Sequence, residues 1–235
     1  MSGSRSRRCR GCPRGRWAGR GSIGRADLGS ERSEQVCGSG SVPRRVEVSA
    51  TERLFDGFFK LDRARISYER FDGSMSAPMT RLVFERGDSV AVLPFDRERQ
   101  TVILVQQFRY PAYLRNGPGW LWEIIAGMID PGRGPEDVVR SEALEEAGYR
   151  LGELKHAMTV YASPGASSER IHIYLAPVVA HQHVGRGGGL PQDGEDILVR
   201  TFELDEALAM MEDGRVVDAK TVLALQFLAL QWGDM

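Results

Sequence analysis

The chain has 235 residues and a formal net charge of −1, and 42% of its residues are hydrophobic. This composition can supply a core for one large domain or two small ones. No apolar run is long enough to cross a bilayer, which excludes a helical membrane protein, and the first residues lack the apolar segment of a secretory signal.

The net charge hides an asymmetry between the first residues and the rest. Residues 1–50 contain 11 Arg, no Lys and 4 acidic residues, a net charge of about +7, and the remainder carries about −8. Residues 1–46 are rich in Gly, Ser and Arg and have little apolar periodicity, so we expect a disordered arm. It lacks interleaved aromatic residues, and we expect no nucleic-acid partner. An extension that is not native is an equally good explanation of the arm.

All three cysteines, Cys9, Cys12 and Cys37, lie in this arm. Cys9 and Cys12 have metal-ligand spacing, but the second pair of a zinc site is missing. The rest of the chain has no cysteine to form a disulfide, which fits a cytoplasmic protein.

Residues 47–87 predict a small antiparallel β domain. Alternating segments at 53–62, 64–71 and 81–86 read as strands, and Phe71–Ser74 reads as a hairpin turn. Three short strands cannot bury both faces of a sheet by themselves. We therefore expect this domain to pack on the next domain or on a second subunit, in a homodimer.

Residues 88–235 predict a mixed sheet between helices, an α/β fold. Ser89–Phe95 and Thr101–Arg109 are apolar runs typical of central strands. Trp120–Ala126 leads directly into the loop at Gly127. Further strands are predicted at 156–161, 171–179 and 195–204, a mobile loop at 181–194, and helices at 205–214, with an Asp cap, and 219–232.

The most informative stretch runs from Gly127 to Tyr149. Turn residues precede Pro135, which suits the first turn of a helix, and Gly148 is a natural stop. The predicted buried face of this helix consists of Val138, Val139, Ala143, Leu144 and Ala147.

Three carboxylates share one sector of that helix, because Glu142, Glu145 and Glu146 lie three and four residues apart. Such a group repels itself, and a divalent cation such as Mg2+ or Mn2+ resolves the repulsion with hard oxygen ligands. The alternative is a solvated acidic helix face.

The stretch resembles the Nudix box, Gly-x5-Glu-x7-Arg-Glu-U-x-Glu-Glu-x-Gly-U, in which U is bulky and apolar. Gly127, the three glutamates and Gly148 match. Arg133 stands where the family has Glu, Ser141 stands where it has Arg, and Ala143 is small for its apolar slot. These departures concern the rigidity of the loop and the rate more than metal binding. Arg133 and Arg140 are candidates to replace the missing Arg.

The resemblance extends over about residues 53–232. It is to the ADP-ribose pyrophosphatase branch of the Nudix hydrolases, including the GDP-mannose pyrophosphatases. The strings that carry it are Gly57–Phe59, Phe84–Gly87, Val105–Arg109, Glu123–Asp130, Ser163–Glu169, Gly194–Ile197 and Lys220–Leu225. It implies a Nudix α/β/α sandwich with a mixed sheet, preceded by the small β domain.

The resemblance also implies a metal site and a base. Glu142, Glu146 and the backbone carbonyl of Ala126 match metal ligands, with Glu145 nearby. Glu195 matches a carboxylate that binds metal or orients the attacking water, and Asp193 is the alternative base.

Substrate contacts are implied at five further residues. Arg81 and Arg109 resemble the diphosphate and nucleotide contacts, and Phe58 resembles an aromatic residue that stacks on the base. Glu169 would hold a ribose hydroxyl or Arg81, and Glu123 would lie near the metal or the ribose. The alternatives are surface arginines and a core Phe.

The implied reaction is Mg2+-dependent hydrolysis of ADP-ribose, to AMP and ribose 5-phosphate, or of a related nucleoside diphosphate sugar. Two alternatives stay open: a GDP-mannose pyrophosphatase, and a non-catalytic ADP-ribose sensor, which the substitutions Arg133 and Ser141 suggest.

Overall fold

A computed structural model describes residues 45–232 of the chain. The predicted arm lies outside the described residues up to residue 44, and so do its three cysteines.

The first described unit is a three-stranded antiparallel sheet of β1 (Val46–Asp56), β2 (Lys60–Tyr68) and β3 (Met79–Glu85), in the order β1-β2-β3. The prediction of one strand through 53–62 was wrong. The chain turns at Gly57, whose N–H donates to the carbonyl of Phe59 at 3.1 Å. The predicted turn at Phe71–Ser74 is present, with Gly73 at a φ of 83°.

Both faces of this small sheet leave apolar side chains in contact with solvent. Every residue of β1 is exposed. The large exposed hydrophobic residues of the three strands are Val46, Val48, Leu54, Phe55, Tyr68, Leu82 and Phe84.

The larger sheet has seven strands: β4 (Ser89–Asp96), β5 (Thr101–Phe108), β6 (Trp120–Glu123), β7 (Ile125–Met128), β8 (Lys155–Tyr161), β9 (Arg170–Pro177) and β10 (Leu198–Glu203). Their order is β10-β5-β4-β9-β8, with β6 on β5 and β7 on β4. β4 and β9 are parallel and the other pairs are antiparallel, which confirms the predicted mixed sheet.

Helices cover both faces of this sheet. The side chains of β4 alternate, because successive residues of a strand point to opposite faces. Val90 and Val92 pack in one core cluster with α2 (Pro135–Ala147). Ala91 and Leu93 pack in the other with α3 (Leu204–Glu212) and α4 (Ala219–Gln231). The result is the predicted α/β/α sandwich.

The predicted ends of α2 and α4 agree with the structure. Gly134 precedes Pro135 at the start of α2, and Gly148 ends that helix in the left-handed conformation, with a φ of 71°. Asp218 caps α4 by accepting from the N–H of Thr221. The predicted Asp cap of α3 was wrong, because that helix already begins at Leu204, after Glu203.

Two smaller features complete the described chain. A single turn, α1 (Tyr110–Tyr113), follows β5 and was not predicted. No helix among residues 45–232 is long and apolar enough to cross a membrane.

Candidate functional site

Two glutamates of α2, Glu142 and Glu146, lie beside β7, the strand that precedes the helix. Glu146 is only 2% exposed, and its Oε2 accepts from the N–H of Ala126 at 3.3 Å. The side chain of Glu142 lies against Gly127, where a Cβ atom would stand 2.1 Å from its Oε1. A side chain at position 127 would therefore displace this carboxylate. Leu144, predicted on the buried face, is exposed instead.

The carboxylates of Glu142 and Glu146 have too little positive charge around them to offset their burial and repulsion. Burial, and then repulsion from Glu145 and Glu195, raises the pKa of Glu142 to about 7. Burial, and then repulsion from Glu142, raises the pKa of Glu146 to about 8, although the N–H of Ala126 opposes this rise. Each group would gain free energy from a cation beside it. The solvated acidic face is therefore wrong for Glu146.

Glu142, Glu146 and the backbone of Ala126 offer the oxygen donors that a divalent cation prefers, although they do not form a complete coordination shell. Glu142 and Glu146 supply hard oxygens from one helix face, next to the backbone of Ala126. Among residues 45–232, no three acidic, His or Cys side chains converge closely enough to surround an ion as they stand. Glu145 is half-buried on the same face.

The Gly-rich loop after β9 is seated on the end of α2 by backbone hydrogen bonds. The N–H groups of Gly188 and Gly189 donate to the carbonyls of Glu146 and Glu145 at 2.8 and 3.1 Å. The last carbonyls of a helix lack partners within the helix, and this loop supplies them. A Cβ atom at Gly187 would stand 2.6 Å from the carbonyl oxygen of Glu146. The glycines permit a close docking, where composition had suggested only mobility.

Glu195 lies beside Gly189, whose N–H bonds the carbonyl of Glu145, and its charge contributes to the raised pKa values of Glu142 and Glu146. Its Oε2 accepts from the N–H of Leu190 at 2.9 Å, so the carboxylate is turned onto its own loop. The side chain of Asp193 lies outside what the structure describes. Its backbone belongs to a 3-10 turn at Pro191–Asp193.

Arg109 and Glu123 form a bidentate pair next to the acidic cluster. The Nε and Nη2 atoms of Arg109 donate to the two carboxylate oxygens at 2.8 and 2.9 Å. Lys220 also donates to Glu123, at 2.6 Å. Burial alone would raise the pKa of Glu123, but the two cations outweigh burial and lower it. Glu123 is thus satisfied within the protein and is not an open ligand.

The remaining predicted substrate residues lie in or near the small sheet. Glu169 is buried, accepts from the hydroxyl of Ser89 at 2.9 Å, and faces Arg86 at 3.7 Å. Arg86, and not the predicted Arg81, is therefore the arginine beside Glu169. Arg81 lies on β3, and its Nη1 donates to the carbonyl of Thr80.

Phe58 follows the turn at Gly57 and is 79% exposed, so the alternative of a core Phe is wrong. Its ring contacts only that of Phe59 among the aromatic rings of the described residues, with centroids 4.7 Å apart. Within residues 45–232, no hydrogen bond or ion pair joins Phe58 or Arg81 to the glutamates of α2.

Arg133 bonds Ser141, the residue that stands where the box has an arginine. Its Nη2 donates to the hydroxyl of Ser141 and to the carbonyl of Asp137. Its charge also opposes part of the rise in the pKa of nearby Glu142. Arg140 instead donates to the carbonyls of Leu151 and Gly152 at 2.8 and 2.6 Å. Of the two candidates, Arg133 is the one that ties the loop to the helix.

Comparison with known proteins gives consistent matches. The NUDIX domain model matches residues 85–225. The ADP-ribose pyrophosphatase of Escherichia coli K12 is 42% identical over 185 residues, which cover 79% of this chain and 88% of that protein. The GDP-mannose pyrophosphatase of Pectobacterium atrosepticum is 37% identical over 182 residues, 77% of this chain and 92% of that protein.

A solved structure described as an ADP compounds hydrolase is similar in fold. Its TM-score is 0.62, and the match covers 81% of this chain and 96% of that one. The sequence identity is 18%, so this likeness concerns the fold alone.

Proposed function

This chain belongs to the NUDIX family, and from that premise we propose that it hydrolyses the diphosphate bond of ADP-ribose, giving AMP and ribose 5-phosphate, or that of a related nucleoside diphosphate sugar. The supporting observation is the pair Glu142 and Glu146, a half-buried and a buried carboxylate with raised pKa values that lie against Gly127 and Ala126.

Family membership implies dependence on a divalent metal, and we propose Mg2+, with Mn2+ as a substitute. Glu142, Glu146 and the carbonyl of Ala126 would hold it, and Glu195 would join them once its carboxylate leaves Leu190. When bound, the cation neutralises the diphosphate and acidifies the attacking water.

The side chains around this pair have distinct roles in the proposed reaction. Water adds to one phosphorus atom, and the bond from that phosphorus to the bridging oxygen breaks. Glu195 accepts the proton of the water, with Asp193 as the alternative base and Glu145 as a further carboxylate nearby. Arg109 directs positive charge toward the diphosphate oxygens as they gain charge.

We propose that residues 47–87 mediate a homodimer. The apolar side chains of β1, including Val48 and Phe55, are exposed in the single chain, and a second copy would cover them. Phe58 and Arg81 are exposed on this domain, and we propose that they and Glu169 contact the nucleotide. Sedimentation equilibrium at micromolar concentration should give twice the 26.1 kDa mass of the chain.

The activity is tested with purified protein, Mg2+ and a panel that includes ADP-ribose and GDP-mannose, with release of AMP or GMP as the readout. We expect cleavage of at least one of these two. GDP-mannose stays in the panel because a relative at 37% identity is named for that activity. Tight binding of ADP-ribose without AMP would instead favour a sensor. Hydrolysis in 18O-labelled water then identifies the phosphorus that is attacked.

A further inference from the structure

Lys220 is a buried cation that the proposed reaction does not use directly. Its ammonium group lies 2.6 Å from Glu123 and 3.1 Å from Asp218, and its side chain is only 12% exposed. A buried charge is costly unless it is paired, so this lysine is held in place by its two carboxylates. Its position in the first turn of α4 comes from the cap at Asp218.

The first turn of α4 holds the chain at the junction between β6 and β7. The hydroxyl of Thr221 accepts from the N–H of Ile124 at 2.9 Å, and Lys220 binds Glu123 next to it. At this junction the chain leaves its partner β5 and joins β4. Ala126 and Gly127, which contact the glutamates of α2, follow within three residues.

Glu123 transmits this constraint to Arg109. Both of its oxygens bind the guanidinium, through Nε and Nη2, and one oxygen also binds Lys220. The remaining nitrogen, Nη1, has no hydrogen-bond partner among the described residues. Glu123 precedes Ala126, the backbone partner of Glu146, by three residues, and Arg109 is near enough to Glu146 for their charges to interact.

We propose that Lys220 is a positioning residue: through Glu123 it fixes the guanidinium of Arg109 so that Nη1 is presented to the substrate diphosphate beside Glu142 and Glu146. This inference rests on the proposed function and adds a residue 97 positions away from Glu123 to its machinery. Without the ammonium group, Glu123 keeps one partner, and the Arg109 fork is free to tilt with it.

The test is a double-mutant cycle between Lys220→Met and Arg109→Met. The probe is an ADP-ribose analogue with a methylene group in place of the bridging oxygen, titrated by calorimetry with Mg2+, alongside kcat and KM for ADP-ribose. We expect Lys220→Met to weaken analogue binding and lower kcat by about tenfold. In the Arg109→Met background the same change should cost less than about twofold, because the group that it positions is gone.

Two further variants control for stability and charge. Lys155→Met removes a lysine that bonds Gln231 at the far end of the same helix, and it should leave binding and kcat unchanged. Lys220→Arg keeps the charge and should stay within about threefold of wild type. If Lys220→Met does not fold, Lys220→Gln, which keeps a donor to Glu123, takes its place in the cycle.

Three results would overturn the inference. A lower melting temperature with unchanged analogue affinity and kcat would make Lys220 purely structural. Equal losses in the two backgrounds would separate it from Arg109. If wild-type protein neither binds nor cleaves the nucleotide, the proposed function fails together with this inference, whereas an active wild type matched by Lys220→Met overturns the inference alone.

Discussion

Replacing Glu146 by Gln should stabilise the metal-free protein at alkaline pH while abolishing most of its activity. The pKa of Glu146 is raised from 4.5 to about 8 in the folded state, mainly by burial. From about pH 4.5 upward the unfolded chain releases this proton, whereas the folded protein retains it. The stability of the wild type therefore falls with rising pH until the folded-state pKa is passed, and the Glu146→Gln substitution removes that loss.

The magnitude follows from the size of the shift. At about 1.4 kcal/mol per pKa unit, the full rise for Glu146 corresponds to about 5 kcal/mol. Glu142 shares the repulsion and the site can relax, so we expect a gain of about 2 kcal/mol for the variant at pH 8.5 relative to pH 5.5. In a domain of this size that is a relative rise in melting temperature of about 5 °C.

The assay is thermal unfolding in chelator at both pH values, with Glu136→Gln as the matched control. Glu136 lies in the first turn of the same helix and is exposed. Adding Mg2+ should stabilise the wild type, because a ligand of the folded state shifts the equilibrium, and should stabilise Glu146→Gln much less. Turnover of the variant should fall by about 10²-fold or more.

Two outcomes would refute this reasoning. If Glu146→Gln and wild type lose stability equally between pH 5.5 and 8.5 in chelator, the carboxylate carries no uncompensated charge. If turnover stays within about tenfold of wild type, Glu146 does not belong to the metal site.

Three other changes test separate parts of the site. Gly187→Ala places a Cβ atom 2.6 Å from the carbonyl of Glu146, whereas Gly214→Ala has a similar positive φ, 82°, and open space. In Gly187→Ala, but not in Gly214→Ala, the hydrogen exchange of residues 184–195 should rise and kcat should fall by about tenfold. Equal effects in the two variants would mean that backbone strain, and not the close contact with Glu146, lowers kcat. Phe58→Ala should raise KM by about fivefold and change the melting temperature by less than about 1 °C, since the ring is 79% exposed; a large loss of stability with KM unchanged would count against stacking. Thr221→Val removes the acceptor of the buried N–H of Ile124 and should cost about 1–3 kcal/mol in urea unfolding; an unchanged midpoint would show that water or another group replaces the hydroxyl.

Much of the fold could be predicted from local chemistry. The ends of α2 were predicted because Pro135 and Gly148 have conformational preferences that few other residues share. The runs that became β4 and β5 were recognisable because both faces of those strands are buried. The turn at Gly57 was missed, since Phe55, Phe59 and Leu61 keep the even spacing of a strand face across it.

The partners of charged side chains could not be predicted in the same way. Glu123 meets Lys220 from 97 residues away, and Glu169 meets Arg86 and Ser89 rather than Arg81. Such pairs depend on how the strands and helices pack, and the spacing of residues along the chain does not predict that packing. The Gly-rich loop raises the same difficulty, because composition cannot distinguish glycines that confer mobility from glycines that permit close docking.

The contrast between two buried glutamates indicates where a ligand cation is needed. Glu123 and Glu146 are each 2% exposed, yet the pKa of the first is lowered and that of the second is raised. Arg109 and Lys220 both bond Glu123, whereas the hydrogen bond that Glu146 receives comes from the neutral backbone N–H of Ala126. The fold thus neutralises one carboxylate with its own cations and leaves the other, with Glu142 beside it, to be neutralised from outside. If Glu142 and Glu146 contributed only to stability, we would expect Arg109 or Lys220 to bond one of them.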